Sequence, residues 1–510
     1  MSADVRGRSP SQPSLRDAPA PLTSLPILDP GRNCWRVAEA GRAAVLVDGA
    51  CYFARLDHAL GLARRSVLII GWDFDGRIRL RPDVEDCPPL GEMLHALVES
   101  QPEIEIRILV WSIATLHAPS KTRALVLGAR WQEHPRIHLR LDSQHPIYGA
   151  HHQKIVCIDD RLAFAGGIDL TVDRWDTTRH GADDPVRQTP DGIAYGPVHD
   201  VQMAVEGAAA AALTELARFR WRQATGEVLA TVPGDQELWP ADLEPDFRQV
   251  PVAIARTAPP WGDQPAITEA GALTLDAVAA ARRRIYVETQ YLVDFRFGDL
   301  LARRLAEPDG PEVIIIAANS LHGALERFAM GSNRDRLIRR IKRADRFDRL
   351  RVFYPAVPAS HGECDVMIHA KLIIVDDGFL RVGSSNISNR SVGLDTECDL
   401  AIEARSNADE RSIAGLRDRL LAEHLDVSTQ QVAEAVAANG SIVQAVDRLN
   451  HNARGLRPFD ALATPGPTRP VVGTWLLDPR KPFEPLWFLR GKRGRVQQRY
   501  RASARRDLGL

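Results

Sequence analysis

One eight-residue pattern occurs twice in this 510-residue chain, and a fold that can hold it has to be a duplicated one. The first copy runs His152-Gln-Lys154-Ile-Val-Cys-Ile-Asp159 and is followed by Gly166-Gly167-Ile-Asp169. The second runs His369-Ala-Lys371-Leu-Ile-Ile-Val-Asp376 and is followed by Gly383-Ser384-Ser-Asn386. His, Lys, Asp and the first Gly all recur at the same offset of 217 positions. Self-similarity at one spacing marks repeated structural units.

The match extends outward. Short β-branched runs precede each copy in the same order: Ser66–Trp72, Ile106–Val110 and Arg136–Arg140 before the first, and Arg284–Glu288, Val313–Ala317 and Arg349–Phe353 before the second. They read as strands. Helical patterns lie between them at Leu90–Ser100, Thr122–Glu133, Phe297–Ala306 and Leu325–Arg343. One more strand follows each copy, Asp200–Glu206 and Glu397–Glu403, and Ala208–Gln223 reads as a helix. Alternating strands and helices imply right-handed crossovers. The expected fold class is therefore α/β: a bilobal duplicated fold, each lobe a mostly parallel mixed sheet flanked by helices, plus a C-terminal helical extension. The boundaries are a disordered tail at 1–33, a first lobe at 34–229, a Pro-, Asp- and Trp-rich linker at 230–262, a second lobe at 263–405, helices at 406–455 and a C-terminal segment at 456–510.

Lys and Arg total 65 against 66 Asp and Glu, so no global charge points to nucleic acid. The exception is Arg490–Arg506, a basic run that suits a solvated tail better than a docking surface. Six cysteines are scattered without a Cys-x-x-Cys pair, so neither a zinc site nor a disulfide framework is indicated. Cys157 and Cys398 sit in apolar runs and read as buried small hydrophobes. No stretch of roughly 18 apolar residues suggests a membrane span. The expected location is cytoplasmic, with any membrane contact peripheral and on the inner face.

The chemistry follows from side-chain direction. In extended backbone, residues i and i+2 share a face, so His152 projects with Lys154 and His369 with Lys371. An imidazole beside an ammonium at the head of a buried strand stabilises a fold poorly. It serves phosphate chemistry well: lysine donates charge-assisted hydrogen bonds to phosphate oxygens, and histidine works as nucleophile or general acid near neutral pH. Exchange at a phosphodiester needs an attacking group and a proton donor for the leaving oxygen, and two copies supply both. A nucleophilic imidazole also needs its second nitrogen held by a carboxylate. Asp200 and Glu397, at the heads of corresponding strands, are the candidates. Asp159 and Asp376 fall at the far strand ends on the other face, where turn hydrogen bonding suits them.

These residues resemble the phospholipase D superfamily over approximately residues 40–405. Gly166–Asp176 is similar to the family's Gly-Gly-x-Asp-Leu…Arg-Trp-Asp run, Pro197–Val201 to its Pro-Trp-His-Asp-Val, and Ile285–Tyr291 to its Ile-Tyr-Ile-Glu-Asn-Gln-Tyr. Gly383–Asn386 with Arg390 and Ser391 is similar to Gly-Ser-Ala-Asn…Arg-Ser. The resemblance implies one site between two lobes, a phosphohistidine intermediate, and no obligatory metal or other cofactor. It implies His152 as nucleophile and His369 as acid/base, roles that pseudo-symmetry could reverse. Glu397 would orient His152 and Asp200 would orient His369. Lys154, Lys371, Asn386 and Asp169 would surround the phosphate, with Ser384 and Gly167 among the substrate-binding residues. A carboxylate at Asp169 requires an intervening lysine. No segment reads as the membrane-targeting module of animal and plant phospholipases D, and the short chain resembles bacterial types.

Other residues carry weaker readings. His151 faces away from His152, which argues against a metal pair. Trp72, Trp111, Trp175 and Trp221 suit a core better than an acyl-chain groove. His180 and His199 lie near the first motif, with a structural role open for His199. Tyr286, Glu288 and Gln290 share a strand face near the expected cleft, unless Glu288 is an internal ion-pair partner. The expected partner is a phospholipid at a peripheral membrane surface, and not nucleic acid. A monomer suffices for one active site. Hydrolysis to phosphatidate and a free head group is the first reading. Phosphatidyl transfer of the cardiolipin synthase type shares the covalent intermediate, and a nuclease is the competing class.

Overall fold

The computed structural model describes residues 26–112, 129–232, 234, 236–320 and 330–482. The basic run Arg490–Arg506, most of the tail at 1–33 and the first parts of the helices expected at Thr122–Glu133 and Leu325–Arg343 lie outside the described residues. Of those two helices, the described parts are a 3-10 turn at Arg130–Glu133 and an α-helix at Ser332–Ala344.

The first half contributes strands β1 (Arg36–Val47), β2 (Ser66–Gly71), β3 (Glu105–Trp111), β4 (Ile137–Asp142), β5 (Ile155–Ile158), β6 (Leu162–Gly166), the two-residue β7 (Val198–His199) and β8 (Val201–Gly207). After β9 (Phe247–Ala258) come β10 (Ile267–Thr268), β11 (Arg284–Thr289), β12 (Glu312–Ala317), β13 (Leu350–Ala359), β14 (Gly362–Asp365), β15 (Met367–Ile368), β16 (Lys371–Val375), β17 (Phe379–Gly383), β18 (Glu397–Glu403) and β19 (Gly455–Pro458). The strands expected from periodicity are present, mostly to within a residue or two at each end; β13 runs farther, to Ala359.

Hydrogen bonding orders the main strands β4-β3-β2-β5-β6-β8-β1-β9-β18-β17-β16-β11-β12-β13. The sheet is mixed and flanked by helices, but the expectation that it is mostly parallel needs correction. Parallel pairing is confined to β2-β3-β4 and β11-β12-β13. The strands after each His-x-Lys run instead form hairpins, β5–β6 and β16–β17, each joined by three residues. Such a connection is too short for a crossover and forces antiparallel pairing.

The linker at 230–262 is the second correction. It contains β9, which pairs with β1 on one side and β18 on the other and so stitches the two halves together. Pro251 and the Pro- and Asp-rich flanks masked this strand, because proline ordinarily argues against a central position. Its middle is a continuous buried run, Val250 to Ala255, with no polar alternation to signal a strand.

One hydrophobic core crosses the duplication. It includes Leu68, Met203 and Trp221 from the first half, Ile314, Leu372 and Leu400 from the second, and Leu420 and Val446 from the C-terminal helices. Helix α1 (Ala208–Thr225) places Ala209, Ala210, Ala212 and Ala217 in this core and ends at Gly226, whose φ of 80° closes the helix in the left-handed conformation. The extension expected at 406–455 forms three helices, α2 (Asn407–Leu425), α3 (Thr429–Asn439) and α4 (Ile442–Leu449).

Candidate active site

Two short bridges between the halves bring the motifs together. Ahead of the second motif, β15 pairs in parallel with β7, and the backbone N–H of His369 donates to the carbonyl of His199 at 2.8 Å. Ahead of the first motif, His151 bridges Thr396 in parallel, and the N–H of His152 donates to the carbonyl of Thr396 at 2.9 Å. Each histidine is thus docked on the residue that precedes a carboxylate of the opposite half: Asp200 follows His199, and Glu397 follows Thr396.

The side chains repeat that symmetry. Nδ1 of His152 lies 2.9 Å from the Glu397 carboxylate, and Nδ1 of His369 lies 2.6 Å from Asp200. With Nδ1–H donating to the carboxylate, the lone pair sits on Nε2. The Nζ of Lys154 and of Lys371 both return to the carbonyl of their own histidine. Lys154 also meets Asp169 at 3.0 Å, and Lys371 donates to Gln290 at 3.3 Å. Lys154 thus pairs with the carboxylate that otherwise would repel a phosphate.

Burial dominates the electrostatics. It pushes both imidazoles well below their ordinary range, and the nearby lysines, Lys154 and Lys371, push the same way. It lifts the Glu397 carboxyl to about 7 against the hydrogen bonds from Ser384 and Ser391 and the charges of Lys154 and Lys371. It lowers Lys371 to about 7, with Asp200 opposing and Lys154 and Arg174 reinforcing. An anionic group entering beside Lys154 and Lys371 would favour the charged form of Lys371 in a dry setting.

The fold is similar to that of a solved structure. The crystal structure of phosphatidylserine synthase from Haemophilus influenzae Rd KW20 superposes with a TM-score of 0.54 at 12% identity, covering 81% of this chain and 97% of that one. Residues 274–412 match the family model described as cardiolipin synthase, PLD-like domain. Phospholipase D A of Dictyostelium discoideum is 24% identical over 463 residues, covering 75% of this chain. Phospholipase D1 of Saccharomyces cerevisiae is 25% identical over 482 residues, covering 74%.

Residues 274–412 thus carry a phospholipase D-like domain, and about three quarters of the chain is similar to phospholipases D. The chain spans only 35% of the Dictyostelium protein and 28% of the yeast one.

The other residues singled out by sequence fall into separate places. Asp159 accepts the backbone N–H groups of Arg64, Arg65 and Ser66 at 2.7–2.8 Å, and Asp376 accepts those of Arg282, Arg283 and Arg284 at 2.6–2.8 Å. They cap the chain where β2 and β11 begin. Asn386 is buried, and its side-chain oxygen has no hydrogen-bond partner. Ser384 requires correction as a substrate-binding residue: it is fully buried, donates to Glu397 at 2.5 Å and accepts from the N–H of Cys398. Gly167, its counterpart, also needs correction. A Cβ there would lie 2.0 Å from the Asp200 carboxylate, so the glycine makes room for that group. Both residues attend the carboxylates.

His151 turns away from the site into a buried pair with Asp142 and Arg220. Trp175 and Trp221 are core residues, whereas Trp72 lies across from Lys154, whose Nζ is 5.9 Å from its ring centroid. Of Tyr286, Glu288 and Gln290, on and just after β11, Gln290 is the one that meets a motif lysine. Tyr286 donates to Glu288 at 2.5 Å, and Glu288 binds His199 and His424. Sequence reasoning missed the docking role of Thr396, and missed Arg174, whose charge acts on His369, Lys371 and Asp200. The Arg-Trp-Asp resemblance held the signal for Arg174.

Behind Asp200 lies a second cluster. Asp48, His180, His199 and Glu423 bring potential ligand atoms within 4.8 Å of one another, and so do His199, Glu288 and His424. No described helix is long and apolar enough to cross a membrane.

Proposed function

We propose that this chain is a phospholipase D, cleaving the phosphodiester of a glycerophospholipid to phosphatidate and a free head group. The observation that carries the reading is the pair of cross-docked imidazoles, each held at Nδ1 by a carboxylate of the opposite half. In the first step, Nε2 of His152 attacks phosphorus and forms a P–N bond. The bond to the head-group oxygen breaks, and His369, in its protonated form, gives that oxygen its proton. Lys154 and Lys371 offset the charge that develops on the equatorial oxygens. In the second step, His369 takes a proton from water, the hydroxide oxygen bonds to phosphorus, and the P–N bond breaks. Glu397 stabilises the positive charge on the modified His152 ring.

Contact with a membrane surface would involve Ile147 and Tyr148. They are 60% and 61% exposed on the loop that leads into His152. Exposed apolar side chains this close in sequence to His152 suit contact with a bilayer surface.

A second reading is phosphatidyl transfer, in which an alcohol replaces water. It is favoured by the cardiolipin synthase description of the matching family model and by the fold shared with a phosphatidylserine synthase.

Incubating the full chain with phosphatidylcholine vesicles and ethanol tests both. Phosphatidate with phosphatidylethanol supports the lipid reading, and product formed only with an alcohol acceptor supports the transferase. Cleavage of single-stranded DNA with no lipid turnover would reject both. Mass-spectrometric mapping of a trapped phosphohistidine to His152 or His369 assigns the nucleophile.

A further inference from the structure

We propose that Asp48, His180, His199 and Glu423 form a buried binding site for one divalent first-row metal ion of the zinc class, which ties α2 to the first half behind Asp200.

The four donors alternate around a common centre. Nε2 of His180 is 3.0 Å from Oε1 of Glu423 and 3.5 Å from Oδ2 of Asp48. Nδ1 of His199 is 2.8 Å from the same Glu423 oxygen and 3.0 Å from Oδ1 of Asp48. Tetrahedral zinc with ligand bonds of about 2.0–2.1 Å separates its donors by about 3.3–3.4 Å, inside the range seen here. Two imidazoles and two carboxylates are a donor set that zinc accepts.

The outer nitrogens decide the tautomers. Nδ1 of His180 is 2.8 Å from Asp176, and Nε2 of His199 is 2.9 Å from Glu288. Metal-ligating histidines habitually donate their outer N–H to a carboxylate in this way. With those N–H groups engaged outward, the neutral rings aim lone pairs at the oxygens of Asp48 and Glu423. Four electron-rich atoms cannot share a dry space without positive charge among them. Two protons on the rings or one divalent ion would supply it. Exchange of one for the other releases two protons and leaves the cluster charge unchanged.

A further observation favours the ion. Asp48 is 1% exposed, and its Oδ2 has no hydrogen-bond partner. That oxygen faces His180 at a separation long for a hydrogen bond and suitable for two ligands of one ion. His180 and His199 are fully buried, so the ion would be acquired on folding and retained. The site would brace the catalytic centre from behind. The N–H of Asp48 donates to the carbonyl of Asp200 at 2.8 Å, and the carbonyl of His199 receives the N–H of His369.

The test uses the full chain and needs no substrate. After gel filtration, elemental analysis should find about one equivalent of metal per chain. Stripping with a strong chelator should lower Tm, and one equivalent of Zn2+ should restore it. Co2+ in its place should give the visible absorption of a four-coordinate ion. His180→Gln and Glu423→Gln should each lose the retained metal, and Asp176→Asn should weaken binding about 10–100-fold. Absence of stoichiometric binding by the wild-type chain, with Tm indifferent to chelator and Zn2+, would leave an ion-pair network of protonated histidines and overturn the proposal. Stoichiometric metal retained in folded His180→Gln and Glu423→Gln variants would place the ion elsewhere and overturn it as well. Both readouts are independent of lipid turnover, so they stand apart from the phospholipase D reading.

Discussion

Glu397 shows how one residue's burial can serve chemistry at a cost in stability. It is fully buried, shares its carboxylate with His152 and Ser384, and has its proton affinity raised to about 7 from an ordinary 4.5. Between those two values the folded chain holds a proton that the unfolded chain has released. This group's contribution to stability therefore falls as pH rises from about 4.5 to about 7, and stays low above that. Glu397→Gln cannot ionise. Its Tm relative to wild type should climb across that pH interval, while its turnover falls at least about tenfold with the fold intact. A difference in Tm that is flat or declines with pH would contradict the burial argument. The histidines allow a second prediction. Units that act together are not additive, so His152→Ala, His369→Ala and the double variant should each lose several orders of magnitude, to about the same residual rate. A single variant that kept more than about a tenth of the activity would remove the mechanism. Their ordinary range is lowered by burial and the lysines, so the acid limb of kcat/KM should lie below pH 6.5. The mechanism also needs His369 protonated, so loss of its proton, at a pH lowered by the same burial and charges, should begin the alkaline limb, and loss of charge on Lys371 through about 7 should extend it. A bound phosphodiester anion favours the charged lysine, so the alkaline limb of kcat should lie higher than that of kcat/KM.

Among the elements, β9 is the one whose position local rules misjudge. A proline within it and polar flanks read as a connector, yet it carries the ladders to β1 and β18. Strand runs such as Ile155–Ile158 and Leu372–Val375 were legible because four or more apolar residues end at a turn signal. β9 needed its neighbours: its worth as a strand comes from burial between two partners, and no window of sequence contains them. Ala253 lies at its centre, fully buried, opposite Val37 on β1 and Ala401 on β18. Ala253→Glu puts an unpaired charge there and should destabilise the chain by more than about 4 kcal/mol, enough to eliminate soluble folded protein. The measurement is urea denaturation, and a loss below about 1 kcal/mol would show that β9 does not bear the sheet. The aspartates that close the two motifs, by contrast, were readable in type and role, because three backbone N–H groups at the start of each lobe's first parallel strand need an acceptor.

For the whole molecule, the duplicated halves are built into one body. They share β9, a common core and two parallel bridges at the site. Calorimetry should therefore record one unfolding transition for both halves, with calorimetric and van't Hoff enthalpies in agreement. Two separated transitions would contradict the shared core. Sequence by itself determined the duplication, the two His-Lys pairs, the strands that carry them and the two candidate carboxylates, because these depend on residue type and spacing along the chain; which carboxylate serves which histidine came only from the family resemblance. The tertiary structure alone decided that Ser384 and Gly167 serve the carboxylates, that β9 joins the halves, and that Asp48, His180, His199 and Glu423 meet behind Asp200. Glu423 stands 224 positions after His199, and only the packing of α2 brings their side chains together. Hydrogen bonds and Coulomb forces act over a few ångströms of space, and distance along a chain leaves no mark of them until the chain has folded.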